Sequence, residues 1–519
     1  MRAYFDKLLS PSSSEKQLPL IFPLLISLCA GALFSFALAP YHYWWIALLS
    51  PALLYATLSK RSARQAFFIG WFYGIGLWFV GAFWLYTSIH VYGDTNAAVS
   101  VLLIGIMALV MGLFTAVQSW LYRRFFPETP LTFAPLWILS EWSKTWLFTG
   151  FPWLFAGYAF TERFLDAYAP IFGVFGVSFV VVILACAVVE ICKGRFFWLI
   201  PSALLLLGAW GAAQLSFVEQ KPGKPLSVSL IQGNIPQDLK WLTEYQNKTL
   251  MIYANLSQSE WGRDLIVWPE SSIPLFQTDI QPFLQAMATQ ARQTGTAWVT
   301  GIPYWDQPES QQTGHAMYYN SIMASGHEAS GLYKKQRLVP FGEYIPLSGM
   351  LSWVLPGLQN DVSLSGFSRG AREQKPLLVH RHPLGSAICY EVAYPNLTRR
   401  NASDSDFLVT VSNDAWFTGT AGPWQHLQMV QMRAKENGRW FIRATNTGVT
   451  AFIDHEGHIV KQAPQDQATV LRGDLPAMQG LTPYTRFSDW PILAFALFLL
   501  ILGWIYRPRV VDVSFKSRR

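Results

Sequence analysis

Three residues in this chain could together transfer an acyl group: Cys389, Glu270 and Lys335. Cys389 closes the small, apolar run Gly385-Ser386-Ala387-Ile388 and is followed by Tyr390 and Glu391. Glu270 ends Val267-Trp268-Pro269-Glu270. Proline stops strand pairing, which leaves the carboxylate at a strand's C-terminal edge, where the ligand sites of α/β sheets gather. Lys335 lies in Tyr333-Lys334-Lys335-Gln336-Arg337, directly before an apolar block, 338–341. Each has an ordinary reading too: a core cysteine, a solvated turn glutamate, a solvated basic face. A thiol attacks only as thiolate, from an unperturbed pKa of about 8.5. A nearby ammonium lowers that pKa, and a carboxylate within reach takes the proton. The ammonium then stabilises the oxyanion of a tetrahedral intermediate, with a backbone N–H beside the cysteine, here that of Tyr390, as second donor. No spacing rule links the three positions, so the elements that carry them must bring them together.

Those elements divide between membrane and water. Hydrophobic residues make up 51% of the 519 and charged ones 14%, against about 25% charged in soluble domains. The 23 tryptophans fit membrane interfaces. Apolar runs occupy 18–39, 43–58, 65–88, 97–122, 131–148, 169–192, 196–217 and 490–506. The first exceeds a signal-peptide core and reads as a retained span. In the fifth, Glu141 and Lys144 stand three apart and can face each other, toward a bundle interior. Gly70 and Gly74 form a GxxxG that permits close helix contact.

The net charge of +7 does not point to nucleic acid, because the basic residues sit in short clusters between apolar runs. Lys60, Arg61, Arg64, then Arg123, Arg124, then Lys193, Arg195, then Arg507, Arg509, Lys516, Arg518 and Arg519 mark alternate loops. By the positive-inside rule the chain is expected to be a membrane α-helical bundle of eight transmembrane helices with both termini cytoplasmic. Seven helices fall in 1–217, an extracytoplasmic catalytic domain in 218–489, and the last helix with a basic tail in 490–519.

The segment 218–489 reads as a layered α/β domain. Strands are expected at 226–232, 265–268, 297–303, 376–389 (two), 407–412 and 441–460 (two, turning at 454–457), and helices at 279–294 and 424–437. Of four cysteines, Cys29, Cys186 and Cys192 lie in apolar runs, leaving Cys389 alone here. No Cys/His spacing suggests zinc, and His380 with His382 reads as a solvated pair. No metal or cofactor is expected. A transporter with an outer binding module would need ionisable residues deep in several spans, where only Glu141 and Lys144 are conspicuous.

Trp268-Pro269-Glu270, Tyr333-x-Lys335, the 338–343 segment Leu-Val-Pro-Phe-Gly-Glu and Ile388-Cys389-Tyr390-Glu391 resemble motifs of the nitrilase superfamily. Gln232-Gly233-Asn234-Ile235-Pro236-Gln237 with Trp241, the 412–417 segment Ser-Asn-Asp-Ala-Trp-Phe, Gly422-Pro423-Trp424-Gln425-His426, Thr445-Asn446-Thr447-Gly448 and Thr149-Gly150-Phe151-Pro152-Trp153 resemble its membrane-embedded branch, the apolipoprotein N-acyltransferase family. The resemblance covers nearly the whole chain. It implies an αββα sandwich and a Glu270–Lys335–Cys389 triad: Glu270 as general base, Lys335 steadying thiolate and oxyanion, and Cys389 carrying a thioester. It implies supporting roles for Glu343, Tyr390 and Glu391, and substrate contacts for Trp241, Asn413, Trp416, Phe417, Trp153 and Gly150. The acyl donor would be a phospholipid, chiefly phosphatidylethanolamine, and the acceptor a diacylglyceryl apolipoprotein, in the bacterial inner membrane, with the enzyme acting as a monomer. The alternative is a membrane-tethered amidase acting on small amides through the same triad.

Overall fold

A computed structural model describes residues 18–340, 342–344 and 366–507. Arg2, Lys7, Lys16, Phe341 and the basic residues beyond Arg507 lie outside them. The apolar runs fold as helices: α1 (Ile21–Phe34), α2 (Ile46–Thr57), α3 (Ala63–Gly81), α4 (Ala97–Phe125), α5 (Pro130–Ser143), α6 (Ala169–Cys192), α7 (Leu199–Ala212) and, after the second domain, one at Trp490–Ile505. Their starts follow local chemistry. Ser62 and Gln65 form a capping box on α3, and Asn96 accepts from Ala98 N–H to cap α4. The fifth run is shorter than expected: α5 stops at Ser143, and the chain then passes through Phe148 (φ +53°) and Thr149 (φ +76°).

Among the described residues, two helices are long and apolar enough to cross a bilayer alone, Ala97–Phe125 and Phe164–Cys192. The exposure pattern is inverted relative to a soluble bundle. Helix α4 buries Ser100, Thr115, Gln118 and Ser119 and exposes Leu102, Leu103, Ile106 and Val110. Apolar outer faces of this extent belong against lipid. Close contact comes from glycine: a Cβ on Gly74 would stand 2.5 Å from the Gly112 Cα, and one on Gly70 would stand 2.4 Å from the Thr115 carbonyl. Glu141 and Lys144 take separate partners. Glu141 accepts from Trp137 Nε1 and Ala156 N–H, both at 2.8 Å, and Lys144 lies against the rings of Trp78 and Phe155.

Among the described residues, the segment between α7 and the last helix has fourteen strands: β1 (Val218–Gln220), β2 (Leu226–Gln232), β3 (Leu265–Val267), β4 (Ala297–Trp305), β5 (Tyr318–Gly326), β6 (Ala329–Lys334), β7 (Leu377–Val379), β8 (His382–Ile388), β9 (Phe407–Ser412), β10 (Phe441–Thr445), β11 (Ala451–Ile453), β12 (Ile459–Gln462), β13 (Thr469–Leu475) and β14 (Met478–Gly480). Strands β1 and β14 pair where the chain enters and leaves the domain. The others run β12-β11-β10-β9-β8-β7-β6-β5-β4-β3-β2-β13. The β6–β7 seam is only two residue pairs long, Ala329↔Val379 and Ser330↔Leu378. At that seam the strands fold into two layers. Val228, Leu265 and Val299 from one half meet Leu384, Val409 and Ile442 from the other in a single apolar core.

Helices cover both outer faces. Thr243–Ser257 and Gln281–Gln293 pack on the first half around Trp268 and Trp298. Pro395–Ser403 and Gly422–Asn437 cover the second half and join the core of the membrane bundle. The helix Gly422–Asn437 is the joint between the two regions. Gln425 accepts from Trp153 Nε1, and Glu436 accepts the Val174 N–H, both at 2.7 Å. Val174 follows Gly173, whose φ of +68° kinks α6. The αββα layering expected from the resemblance is present. The hairpin β5–β6 and strands β13 and β14 were not foreseen, because Tyr318–Gly326 mixes polar, small and apolar residues without a clear period.

Candidate active site

The end of the sandwich holding the C-terminal ends of β3, β8 and β9 gathers the chemistry. After β3, Pro269 interrupts pairing and the chain turns at Ser271 (φ +46°). Glu270 is thereby buried. Its Oε1 accepts from Lys335 Nζ at 3.2 Å and from Asn320 Nδ2 at 2.8 Å, and its Oε2 accepts from Asn413 N–H at 2.9 Å. Lys335 follows β6 directly, its backbone tied to the Asn320 carbonyl. Its Nζ also donates to Glu343 Oε1 at 2.8 Å. Glu343 is held in turn by Asn320 Nδ2 (2.9 Å) and Val339 N–H (2.8 Å). One buried ammonium thus lies between two carboxylates, and Asn320 bridges both.

Burial opposes charge on Glu270, but Lys335, Asn320 and Lys240 outweigh it and hold the carboxyl below its ordinary 4.5. Burial also opposes charge on Lys335, yet Glu270 and Glu343 raise it well above 10.5. The pair is ionised at neutral pH.

Cys389 directly follows β8 in a left-handed conformation, φ +50°, which costs energy for a residue with a Cβ. Burial and the Glu270 charge push its thiol well up, against the pull of Lys335. The expected lowering by the ammonium is therefore only one contribution to the sum. A neutral Cys389 thiol and an ionised Glu270 carboxylate at one end of the sandwich are suited to proton transfer from sulfur to oxygen.

Glu391, wholly buried, braces this turn. Its Oε1 accepts from Gln336 N–H (2.6 Å) and Arg337 N–H (3.0 Å), and its Oε2 accepts from Ile388 N–H (2.8 Å) and Tyr333 OH (3.0 Å). One side chain thus ties the lysine loop to the cysteine turn. Tyr390 donates its hydroxyl to the Gly150 carbonyl at 3.1 Å and stacks on Trp153 at 6.5 Å. Trp153 and Gly150 therefore lie behind Tyr390, and Trp153 is 4% exposed. Asn413 holds Glu270 through its backbone, and its side chain bonds Gln237 and Asn446. Trp241 and Trp416 are exposed, at 46% and 38%. Trp416 meets Tyr92 edge-on and Phe417 meets Trp84, linking this loop to the membrane region.

Two groups near the site escaped the sequence reading. Lys240 is fully buried and donates to the Glu270 carbonyl at 3.0 Å. Burial lowers its pKa to about 8, with Glu270 and Cys389 pulling the other way. The second group is the buried set Asp414, His426 and Arg443, where Arg443 bonds Asp414 Oδ2 and Ser412 Oγ donates to Asp414 Oδ1. Burial opposes charge on Asp414, but the Arg443 guanidinium and the Ser412 hydroxyl hold it well below 3.8. The sequence signal was a charge inside apolar or motif segments, such as Arg443 within Phe-Ile-Arg-Ala-Thr.

Two clusters offer metal-ligand atoms within 4.8 Å of one another: Cys389 with Asp414 and His426, and His327 with Glu328 and His380. In the first, both His426 nitrogens and both Asp414 oxygens already bond protein groups. The second lies at the opposite end of β8 from Cys389, with Glu328 paired to Arg381.

The family model "Apolipoprotein N-acyltransferase N-terminal domain" matches residues 30–187, and "Carbon-nitrogen hydrolase" matches 227–484. An apolipoprotein N-acyltransferase of Azotobacter vinelandii is 42% identical over 92% of this chain and 94% of its own. One from Photobacterium profundum is 38% identical over 93% and 94%. Among solved structures, the C. elegans NitFhit protein aligns with TM-score 0.38 at 15% identity, over 56% of this chain and 66% of its own. Saccharomyces cerevisiae Nit3, of the nitrilase superfamily, aligns with TM-score 0.36 at 15% identity, over 49% and 91%.

Proposed function

The chain belongs to the apolipoprotein N-acyltransferase family, and on that footing we infer that it acylates the α-amine of the N-terminal diacylglyceryl-cysteine of apolipoproteins, drawing the acyl chain from a phospholipid through a thioester on Cys389. The observation that supports the mechanism is the buried Lys335–Glu270 bond at 3.2 Å, at the same end of the sandwich as Cys389, which takes a left-handed backbone there.

In the first half-reaction Glu270 takes the Cys389 proton as sulfur attacks the ester carbonyl. Lys335 Nζ and the Tyr390 N–H stabilise the oxyanion. The C–O bond breaks, and Glu270 returns the proton to the departing glycerol oxygen. In the second half, the neutral amine of the apolipoprotein attacks the thioester and Glu270 takes its proton. The C–S bond breaks, the amide leaves, and the proton returns to sulfur. Glu343 and Asn320 keep Lys335 aimed, Glu391 fixes the turn, and Asn413 holds Glu270. Trp153 and Gly150 act on substrate through Tyr390. Trp241, Trp416 and Phe417 meet the lipid chains.

The eight apolar runs cross the bacterial inner membrane with both termini in the cytoplasm, so 218–489 stands in the periplasm. The alternation of basic loops and the outward apolar faces of the helices support this register. Both lipid-anchored substrates then reach the site from the outer leaflet, the donor being phosphatidylethanolamine and the enzyme a monomer.

The test is to incubate the detergent-solubilised protein with phosphatidylethanolamine labelled in its acyl chain, then add a diacylglyceryl lipopeptide. Label should appear on Cys389 and pass to the peptide amine, and Cys389→Ala should abolish both. Turnover of small amides without an acyl-enzyme would overturn the reading in favour of an amidase.

A further inference from the structure

The buried cluster behind Cys389 uses charged groups where no charge chemistry is needed. Arg443 and Asp414 are 0% and 2% exposed, and burying such a pair is expensive, the more so because Arg443 Nη1 has no hydrogen-bond partner among the described residues. The product of the arrangement is one oriented hydrogen bond. His426 Nε2 lies 2.9 Å from the Cys389 carbonyl oxygen, which can only accept. Arg443, which can only donate, lies 3.1 Å from His426 Nδ1. Both contacts are satisfied together only by the neutral ring with its proton on Nε2. The 3.4 Å approach of Asp414 Oδ1 to Nδ1 therefore carries no proton. Asp414 serves instead to balance Arg443, which fixes the tautomer. Arg443 is anchored further by Nε donating to the Val449 carbonyl at 3.0 Å.

That bond fixes a peptide plane. In a trans peptide the C=O and the following N–H point to opposite sides. With the Cys389 carbonyl drawn toward the helix Gly422–Asn437, the Tyr390 N–H is turned away from that helix. Left-handed residues such as Cys389 (φ +50°) are held only where their surroundings over-determine them, so the peptide needs such a clamp.

We propose that His426 is the positioning residue of the oxyanion hole: its Nε2–H clamps the Cys389 carbonyl so that the Tyr390 N–H faces the carbonyl under attack. This rests on the thioester reading above. His426 touches no substrate and takes no proton. Both half-reactions pass through a tetrahedral oxyanion, so both depend on the clamp.

The experiment compares His426→Gln, whose amide N–H can reach the Cys389 carbonyl from a similar position, with His426→Asn, whose shorter side chain cannot. Two rates are measured on the intact protein in detergent: acylation of Cys389 by labelled phosphatidylethanolamine, and its alkylation by iodoacetamide, a displacement that forms no oxyanion. His426→Asn should slow acylation, and transfer to the lipopeptide, by about 100-fold, the usual loss on removing an oxyanion donor. Alkylation should change less than about threefold, and His426→Gln should recover most of the acylation rate. Parallel loss of both rates in His426→Asn would mean that His426 places the thiol itself and would overturn the proposal. So would equal acylation by the Gln and Asn variants. If wild-type protein takes up no label on Cys389, the thioester reading fails first and this inference with it.

Discussion

Replacing Glu391 with glutamine tests the brace between the lysine loop and the cysteine turn. The two oxygens of Glu391 accept four hydrogen bonds, three from backbone N–H groups. Glutamine retains one oxygen. Kept toward Gln336 and Arg337, it turns its NH₂ against the Ile388 N–H, two donors 2.8 Å apart in the parent geometry; Tyr333 can rotate its hydroxyl to accept. Burial raises the Glu391 pKa to about 7, so the loss is one hydrogen bond to a partly ionised acceptor, about 1–2 kcal/mol, plus the cost of a stranded buried N–H, about 1–3 kcal/mol. Partial relaxation of the turn reduces the sum, so about 3 kcal/mol is expected. The opposite amide orientation strands two N–H groups and costs more. Ile388 directly precedes Cys389, so relaxation also moves the nucleophile, and a shift near 1 Å costs about 100-fold in rate. Thermal unfolding in detergent and single-turnover labelling of Cys389 measure the two effects. Glu391→Gln should lose both stability and acylation. Loss of acylation at wild-type stability would refute the brace and make Glu391 a participant in the chemistry.

Other outcomes follow from the same geometry. Asn320→Asp removes the shared donor to Glu270 and Glu343 and adds a like charge, so the Glu270 pKa rises; the acid limb of acyl-enzyme formation should move up by at least ~1 unit in a single-turnover pH series. In the wild type, Glu270 lies below 4.5 and Lys335 above 10.5, so neither should produce a limb in acyl-enzyme formation between those values; a limb near 7 or 8 would report Glu391 or Lys240 instead. Because the Glu270 pKa is depressed on folding, its stabilising contribution is present above 4.5 and lost as pH drops through its folded value. Transfer to the lipopeptide should instead rise through the α-amine pKa, about 7.7–8.0, which separates the half-reactions. Gly74→Leu would drive a Cβ against Gly112 at 2.5 Å and should reduce folded yield, whereas Gly105→Ala meets nothing within 4 Å and should be silent.

Much of the architecture was legible because it depends on short-range pattern. Apolar runs, turn glycines and strand alternation place the helices of the bundle and most strands of the second domain, and Glu270, Lys335 and Cys389 were identifiable because family-like motifs surround them. The hairpin carrying Asn320 was not, since Tyr318–Gly326 has no period-2 signal, and Lys240 resembles any surface lysine in sequence. The roles of Asn413, Gly150 and Trp153 illustrate the same limit. The resemblance implies substrate contacts for them, while the bonds and ring contacts described above run to Glu270 and Tyr390.

The sequence by itself determined which chemistry was available, which segments favour lipid, and that a single thiol stands in the polar domain. Tertiary structure decided the rest: the pairing of Glu270 with Lys335 across 65 residues, the burial that pushes the Cys389 thiol up, and the contact of His426 with the Cys389 carbonyl. The reason is physical. Hydropathy and backbone preference are properties of neighbours along the chain, whereas a pKa or a hydrogen bond is set by whatever the fold brings within a few ångströms.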